Sequence, residues 1–314
     1  MSSRVPAHPP SQPFIRLRRR CLASLCVAVI SPHAAAEPFI GQFELKTLES
    51  APGLLEFQSQ NAWAWDQPRR RIATDEDGAV IMDENALFRE RYALELEIGW
   101  TSRVKMRFGI ELENERIDDP GSSTFANEFE GLRLEEIGAE IVAVLVPRDE
   151  DGAGLGVVVE VEGPIDQEGP NSLILGPIIE YQSGPWFFAA VPALVRAFGG
   201  KREQDEPRDD KWDFAYALQL MHRFSSRWAL ALEGYGTIER LGNTGHRSEA
   251  AERFGDSDQH RLGPVLYFAH PLTFGPRQRG EEEAATLTIG LGLLEGLTSH
   301  TADHTLKLSI EVDF

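Results

Sequence analysis

Cysteine is nearly absent from this 314-residue chain. There are two, Cys21 and Cys26, and both precede residue 37. Residues 37–314 can therefore form no disulfide, which excludes a small stapled architecture. Long apolar runs are missing too: no stretch reaches the roughly 18 residues of a membrane-crossing helix. Positive charge is scarce, with 31 Lys and Arg against 50 Asp and Glu, a formal net charge of −19. A phosphate backbone needs the opposite sign, so nucleic acid is excluded as a partner. Apolar spacing at i, i+3, i+4 is not sustained beyond residue 36, so long amphipathic helices are not expected. The sequence has no G-x-S-x-G elbow, no P-loop and no H-E-x-x-H, and it implies no cofactor and no metal.

The first 36 residues differ from the rest. They hold five arginines (Arg4, Arg16, Arg18, Arg19, Arg20), no lysine and no acidic residue. A ten-residue apolar run, Cys21 to Ile30, follows; then come Pro32 and the small residues Ala34-Ala35-Ala36 before Glu37. A basic region, a short apolar core and a small-residue site in that order describe a secretory signal peptide, expected over 1–36 and cleaved. Leu25 before Cys26 and Arg20 before Cys21 are too large for a lipoprotein signal.

Beyond residue 53 the dominant period is 2. Leu306, Leu308, Ile310, Val312 and Phe314 alternate with Thr305, Lys307, Ser309, Glu311 and Asp313. Successive strand side chains point to opposite faces, so one face here is apolar and the other polar. Residues 91–100 and 104–113 repeat the pattern. Weaker versions occupy 54–66, 132–146, 154–162, 171–182, 186–198, 212–224, 227–238, 260–269 and 285–294, giving twelve candidate strands. The parity of 186–198 is ambiguous, because Pro192 and Arg196 share a face with Trp186. Short links (101–103, 147–153, 183–185, 225–226) alternate with longer ones (67–85, 117–131, 163–170, 199–211, 239–259, 295–304). The 270–284 link breaks the rule by being long where a short one is due. A meander crossing a membrane, with tight turns on one side and loops on the other, gives this alternation; a Greek-key sandwich has no reason to.

Aromatic residues cluster beside the short links: Trp100, Tyr181, Trp186, Phe224 and Trp228, with Phe314 at the end of the last strand. They would form a membrane girdle. With these features the chain resembles the bacterial outer-membrane β-barrels. The residues that carry the resemblance are the leader, the even strand count and the terminal Leu306-x-Leu308-x-Ile310-x-Val312-x-Phe314. The resemblance covers about 54–314 and is nearest to small diffusion channels and transporters with twelve strands. It implies an all-β fold, a transmembrane antiparallel up-and-down β-barrel of about twelve strands in the bacterial outer membrane. It also implies outer-membrane lipid as surroundings, the barrel-assembly machinery as a partner of the C-terminal strand, and passive passage of small solutes as the function.

In such a barrel the polar face lines the lumen. The expected lining residues are Glu95, Glu97, Lys105, Arg107, Glu111, Glu113, Glu140, Glu160, Glu162, Glu180, Glu233 and Glu311, with Arg91, Lys307 and Asp313 on the same face. Rings of carboxylates favour cations or basic and polar solutes. Equally, Lys105 and Arg107 could pair with Glu95, Glu97, Glu111 or Glu113 and close the lumen. Residues 37–53, with little strand signal, form a short N-terminal segment that could sit in the lumen as a partial plug.

Three other readings stay open. An outer-membrane hydrolase would need a site at the outer rim, where Asp256, Ser257, Asp258 and His260 are the candidates. A closed structural or adhesive barrel would bind a partner through its loops. A soluble periplasmic sandwich is the alternative fold. The glycines of 152–156 and 290–292 open no helix and read as turn or lumen glycines.

Overall fold

The computed structural model describes residues 44–65, 71–74, 80–82, 85–118, 128–129, 131–165, 171–199, 212–238, 241, 259–272, 285–298 and 301–314. The expected leader (1–36), the first part of the N-terminal segment and Asp256, Ser257 and Asp258 lie outside them.

Twelve long strands make a closed antiparallel barrel: β1 (Leu55–Trp65), β4 (Asn85–Thr101), β5 (Val104–Asp118), β7 (Arg133–Val146), β8 (Gly152–Pro164), β9 (Asn171–Ser183), β10 (Trp186–Phe198), β11 (Trp212–Arg223), β12 (Trp228–Ile238), β13 (Gln259–Pro271), β14 (Thr286–Gly296) and β15 (His304–Asp313). Three short strands, β2 (Arg71–Thr74), β3 (Val80–Met82) and β6 (Glu128–Phe129), fall within two of the long links. Each barrel strand pairs with its neighbour in sequence, and β1 closes the ring against β15, from Glu56 opposite Asp313 to Trp65 opposite His304. Closure leaves none of the twelve barrel strands at a sheet edge, as hydrocarbon surroundings require. Among the described residues no helix is long and apolar enough to cross a membrane; the strands are long enough to do so.

The sequence bounds of the strands hold within a few residues, except that β4 and β5 reach about five residues further into the long-loop end. The anomalous 270–284 link is bounded by a backbone bond from Leu272 N to Ala285 O. The parity of β10 is resolved. Phe187, Ala189, Val191, Ala193, Val195 and Ala197 face inward, while Trp186, Phe188, Pro192, Leu194 and Arg196 face outward. Arg196 is accommodated there by lying over the Trp212 ring, 5.3 Å from its centroid.

The outer face is an apolar belt. Leu145, Leu230, Leu232 and Leu291 are each about half exposed, and comparable leucines, valines and isoleucines recur on most strands. A water-soluble protein rarely exposes a patch so large; a lipid-facing barrel must.

Candidate functional site

The lumen is where the chain concentrates its unusual chemistry. All twelve expected lining residues lie on the inward face of their strands. Glu97, Lys105, Arg107, Glu111, Glu140, Glu160, Glu180 and Glu233 are buried, and Glu95, Glu113, Glu162 and Glu311 are partly so. These carboxylates do not stand alone. The Lys105 ammonium is 2.9 Å from Glu97, and the Arg107 guanidinium spans Glu97 (2.7 Å) and Glu95 (3.5 Å). Both pairings were among those open from sequence. Glu111 and Glu113 take other partners: Arg91 meets Glu113 at 3.0 Å and Glu111 at 3.7 Å, and Arg89 meets Glu113 at 2.8 Å. Register explains the choice, since Arg91 stands directly opposite Glu113 on the β4–β5 ladder.

The segment before β1 turns back into the barrel. Gly53 N bonds to Gly99 O (2.8 Å) and Ser50 Oγ to Thr101 O (2.7 Å), which fixes it at the short-turn rim. Gly53 has a φ of 83°, a left-handed conformation that suits glycine. From there the chain crosses the inner wall. Leu48 N donates to Glu180 Oε1 at 2.8 Å, and Lys105 Nζ donates to Thr47 Oγ1 at 3.2 Å. Lys46 Nζ donates to Glu140 and forms an ion pair with Glu160 at 2.8 Å, and Glu44 pairs with Arg107. Glu44, Lys46 and Leu48 are each about 95% buried. The glycines of β8 have a reason here. A Cβ on Gly154 or Gly156 would collide with the Leu48 side chain, so both leave room for it.

Composition of the inner face is less polar than alternation alone suggests. Val142, Val144, Val158, Ile178, Val191, Ala217, Val265 and Leu294 form one buried cluster with Leu48 and Tyr235. Opposite the segment a second polar knot spans β11 to β15. Glu233 accepts from Lys307 Nζ (2.7 Å), Tyr235 Oη (2.6 Å), Gln219 Nε2 (2.7 Å) and Tyr267 Oη. Lys307 reaches across β13 and β14, where Gly290 and Gly292 carry no side chain to block it.

Between this knot and the segment a cavity of about 300 Å³ remains. Its walls include Gln58, Gln60, Phe187, Gln219, Tyr267, Lys307 and Glu311 from strands, and Leu45, Thr47 and Glu49 from the segment. Arg148, Arg223, Ser225, Ser226 and Arg227 place its mouth at the short-turn rim. Sequence reading missed Glu44, Lys46, Arg89, Arg148 and Glu136 as lumen residues. The signal available for the first two was the alternation Glu44, Lys46, Leu48 against Leu45, Thr47, Glu49.

The girdle candidates stand at the short-turn rim on the outer surface. Trp100 is 67% exposed, and Tyr181, Trp186 and Phe224 are at least half exposed. Trp186 packs edge-on to His222 and Trp228 lies against Phe268. The candidate hydrolase residue His260 is on the outward face of β13, stacked on Tyr216 with 2.8 Å between Nδ1 and the Tyr216 hydroxyl.

No family model matches this sequence, and no curated protein does. Solved structures match in fold. An outer-membrane channel from Pseudomonas putida F1 has a TM-score of 0.50 at 12% identity, over 88% of this chain and 100% of that one. The NanC porin has 0.45 at 8%, over 83% and 98%. The KdgM porin, solved in complex with disordered oligogalacturonate, has 0.40 at 6%, over 83% and 98%. Closed topology and apolar belt together make this chain a transmembrane β-barrel of the bacterial outer-membrane type.

Proposed function

We propose that the protein is an outer-membrane channel for passive passage of small solutes, narrowed from within by its residues 44–53. The observation that carries this reading is the cavity of about 300 Å³, which keeps one side of the lumen unfilled where a barrel of this size could have packed shut. Its volume is at the low end of ordinary small-molecule sites. The acidic inner wall biases passage toward cations or basic and polar solutes, because carboxylates lower the energy of positive charge in a confined space. The exposed aromatic side chains at the short-turn rim serve as the interfacial girdle, the long loops face outward from the cell, and the terminal strand with Phe314 engages the assembly machinery. No covalent step is assigned. The test is single-channel recording of the protein purified in detergent and inserted in a planar bilayer under a salt gradient. A small, steady, cation-selective current is expected; a folded barrel with no current at any voltage overturns the reading.

One observation favours a second reading. The apolar cluster around Leu48 fills the middle of the lumen with side chains, as a closed barrel acting through its outer loops would. Zero conductance that persists after residues 44–53 are deleted would select it.

A further inference from the structure

The inner wall between β4 and β8 carries two like-charge cross-strand pairs. Glu140 stands opposite Glu160 on the β7–β8 ladder, and Glu111 stands opposite Glu136 on the β5–β7 ladder. Carboxylates directly opposite one another repel. The first pair is bridged by Lys46. Beside the second lies a cavity of about 30 Å³, lined by six carboxylates: Glu95, Glu111, Glu136, Glu140, Glu160 and Glu162. Glu136 is 94% buried, its Oε2 makes no hydrogen bond, and among the described residues it makes no ion pair. Glu140 Oε1, on the same cavity, is likewise without a hydrogen bond. A buried carboxylate left this way is costly, by several kcal/mol in the usual case. Among the described residues lining this cavity, Arg107 is the one basic group beside the six carboxylates; Lys46 reaches Glu140 and Glu160, and Arg91 reaches Glu111.

We propose that this cavity is a binding site for a hard divalent cation, held by Glu136 with Glu140 and Glu162. Oxygen is the only donor element the wall offers, which selects calcium or magnesium over softer metals. At roughly 10–15 Å³ per water-sized occupant, the volume admits an ion together with about one water. The carboxylates do not converge as closely as those of Glu56, Glu311 and Asp313 at the short-turn rim, whose oxygens lie within 4.8 Å of one another. An ion at Glu136 therefore keeps part of its water shell, which calcium tolerates best through its flexible coordination. The rim trio lacks this feature, because none of its oxygens is buried without a hydrogen bond. The proposal stands apart from conduction: a barrel that passes no current can still hold the ion.

The test is isothermal titration of calcium into the chelator-treated protein in detergent, for wild type, E136Q, E162Q and the rim variant E311Q. Binding of one calcium is expected, weakened about tenfold or more in E136Q and measurably in E162Q, and unchanged in E311Q. Should E136Q fail to fold, E162Q carries the comparison. Absence of calcium binding to the wild type overturns the proposal. So does binding that survives E136Q and E162Q, or binding that is lost in E311Q, which moves the ion to the rim.

Discussion

The Lys46 ammonium, from a segment that precedes every strand, sits 2.8 Å from Glu160 of β8. It also bonds Glu140 of β7, so one side chain neutralises a pair of carboxylates that register forces together. K46M leaves both facing each other in a dry wall. Removing one partner of a buried ion pair costs about 3–5 kcal/mol. The urea midpoint for unfolding the barrel in detergent is expected to fall accordingly. Conductance is expected to rise as the segment loosens. A midpoint equal to that of wild type contradicts the bridging role.

Leu48 and Gly156 test the segment by shape rather than charge. Any side chain at Gly156 meets Leu48. G156V is therefore expected to expel residues 44–50, with the β7–β8 ladder yielding by a few tenths of an ångström because the new Cβ also comes 3.0 Å from the Ala143 carbonyl oxygen. The readouts are a larger single-channel current and faster proteolysis ahead of Leu55. The double variant G156V/L48A makes room again and is expected to return both toward wild type.

How far the sequence revealed this arrangement depends on which side of the barrel wall is considered. The outer face was legible because lipid demands apolar side chains at every second position, and 305–314, 91–100 and 104–113 supply them without interruption. The inner face obeys no such rule. In Ile141-Val142-Ala143-Val144-Leu145-Val146 both parities are apolar, so alternation could not show that Val142 and Val144 point into a packed interior. Ion pairs between neighbouring strands were partly readable: Lys105 finds Glu97 as adjacency allows. Contacts that depend on where a strandless segment lies were not. Lys46 and Glu140 are 94 residues apart, and nothing local joins them.

Glu233 and Lys307 form the second internal brace, both nearly fully buried. K307M strands the Glu233 carboxylate with only its tyrosine and glutamine donors, and about 3–5 kcal/mol of stability should be lost. Replacing both, E233L/K307M, removes the stranded charge and is expected to recover much of that loss. A double-mutant cycle on urea midpoints measures the coupling. Additive losses would show that the two groups act independently.

The mouth of the larger cavity carries Arg223 and Arg227. If solutes pass there, these cations oppose the bias of the acidic wall behind them. R223E/R227E is expected to shift the reversal potential in a salt gradient further toward the cation limit, with stability little changed because both residues are exposed. An unaltered reversal potential would mean that the ion path avoids this mouth.

Leu232 lies midway along β12 on the outward face and is 47% exposed, beside the fully buried Glu233. The two neighbours make the wall's polarity switch in a single residue step. A charge tolerated at 233 is surrounded by protein donors; the same charge at 232 meets hydrocarbon. L232R is therefore expected to cost about 2–4 kcal/mol in folding from urea into lipid vesicles, the range for arginine near the bilayer midplane. L232F, which keeps the surface apolar, is expected to fold like wild type. Tryptophan fluorescence followed through a urea titration with vesicles present gives both numbers. If L232R folds into vesicles as well as L232F does, β12 does not present this face to lipid, and the outward belt would need another partner.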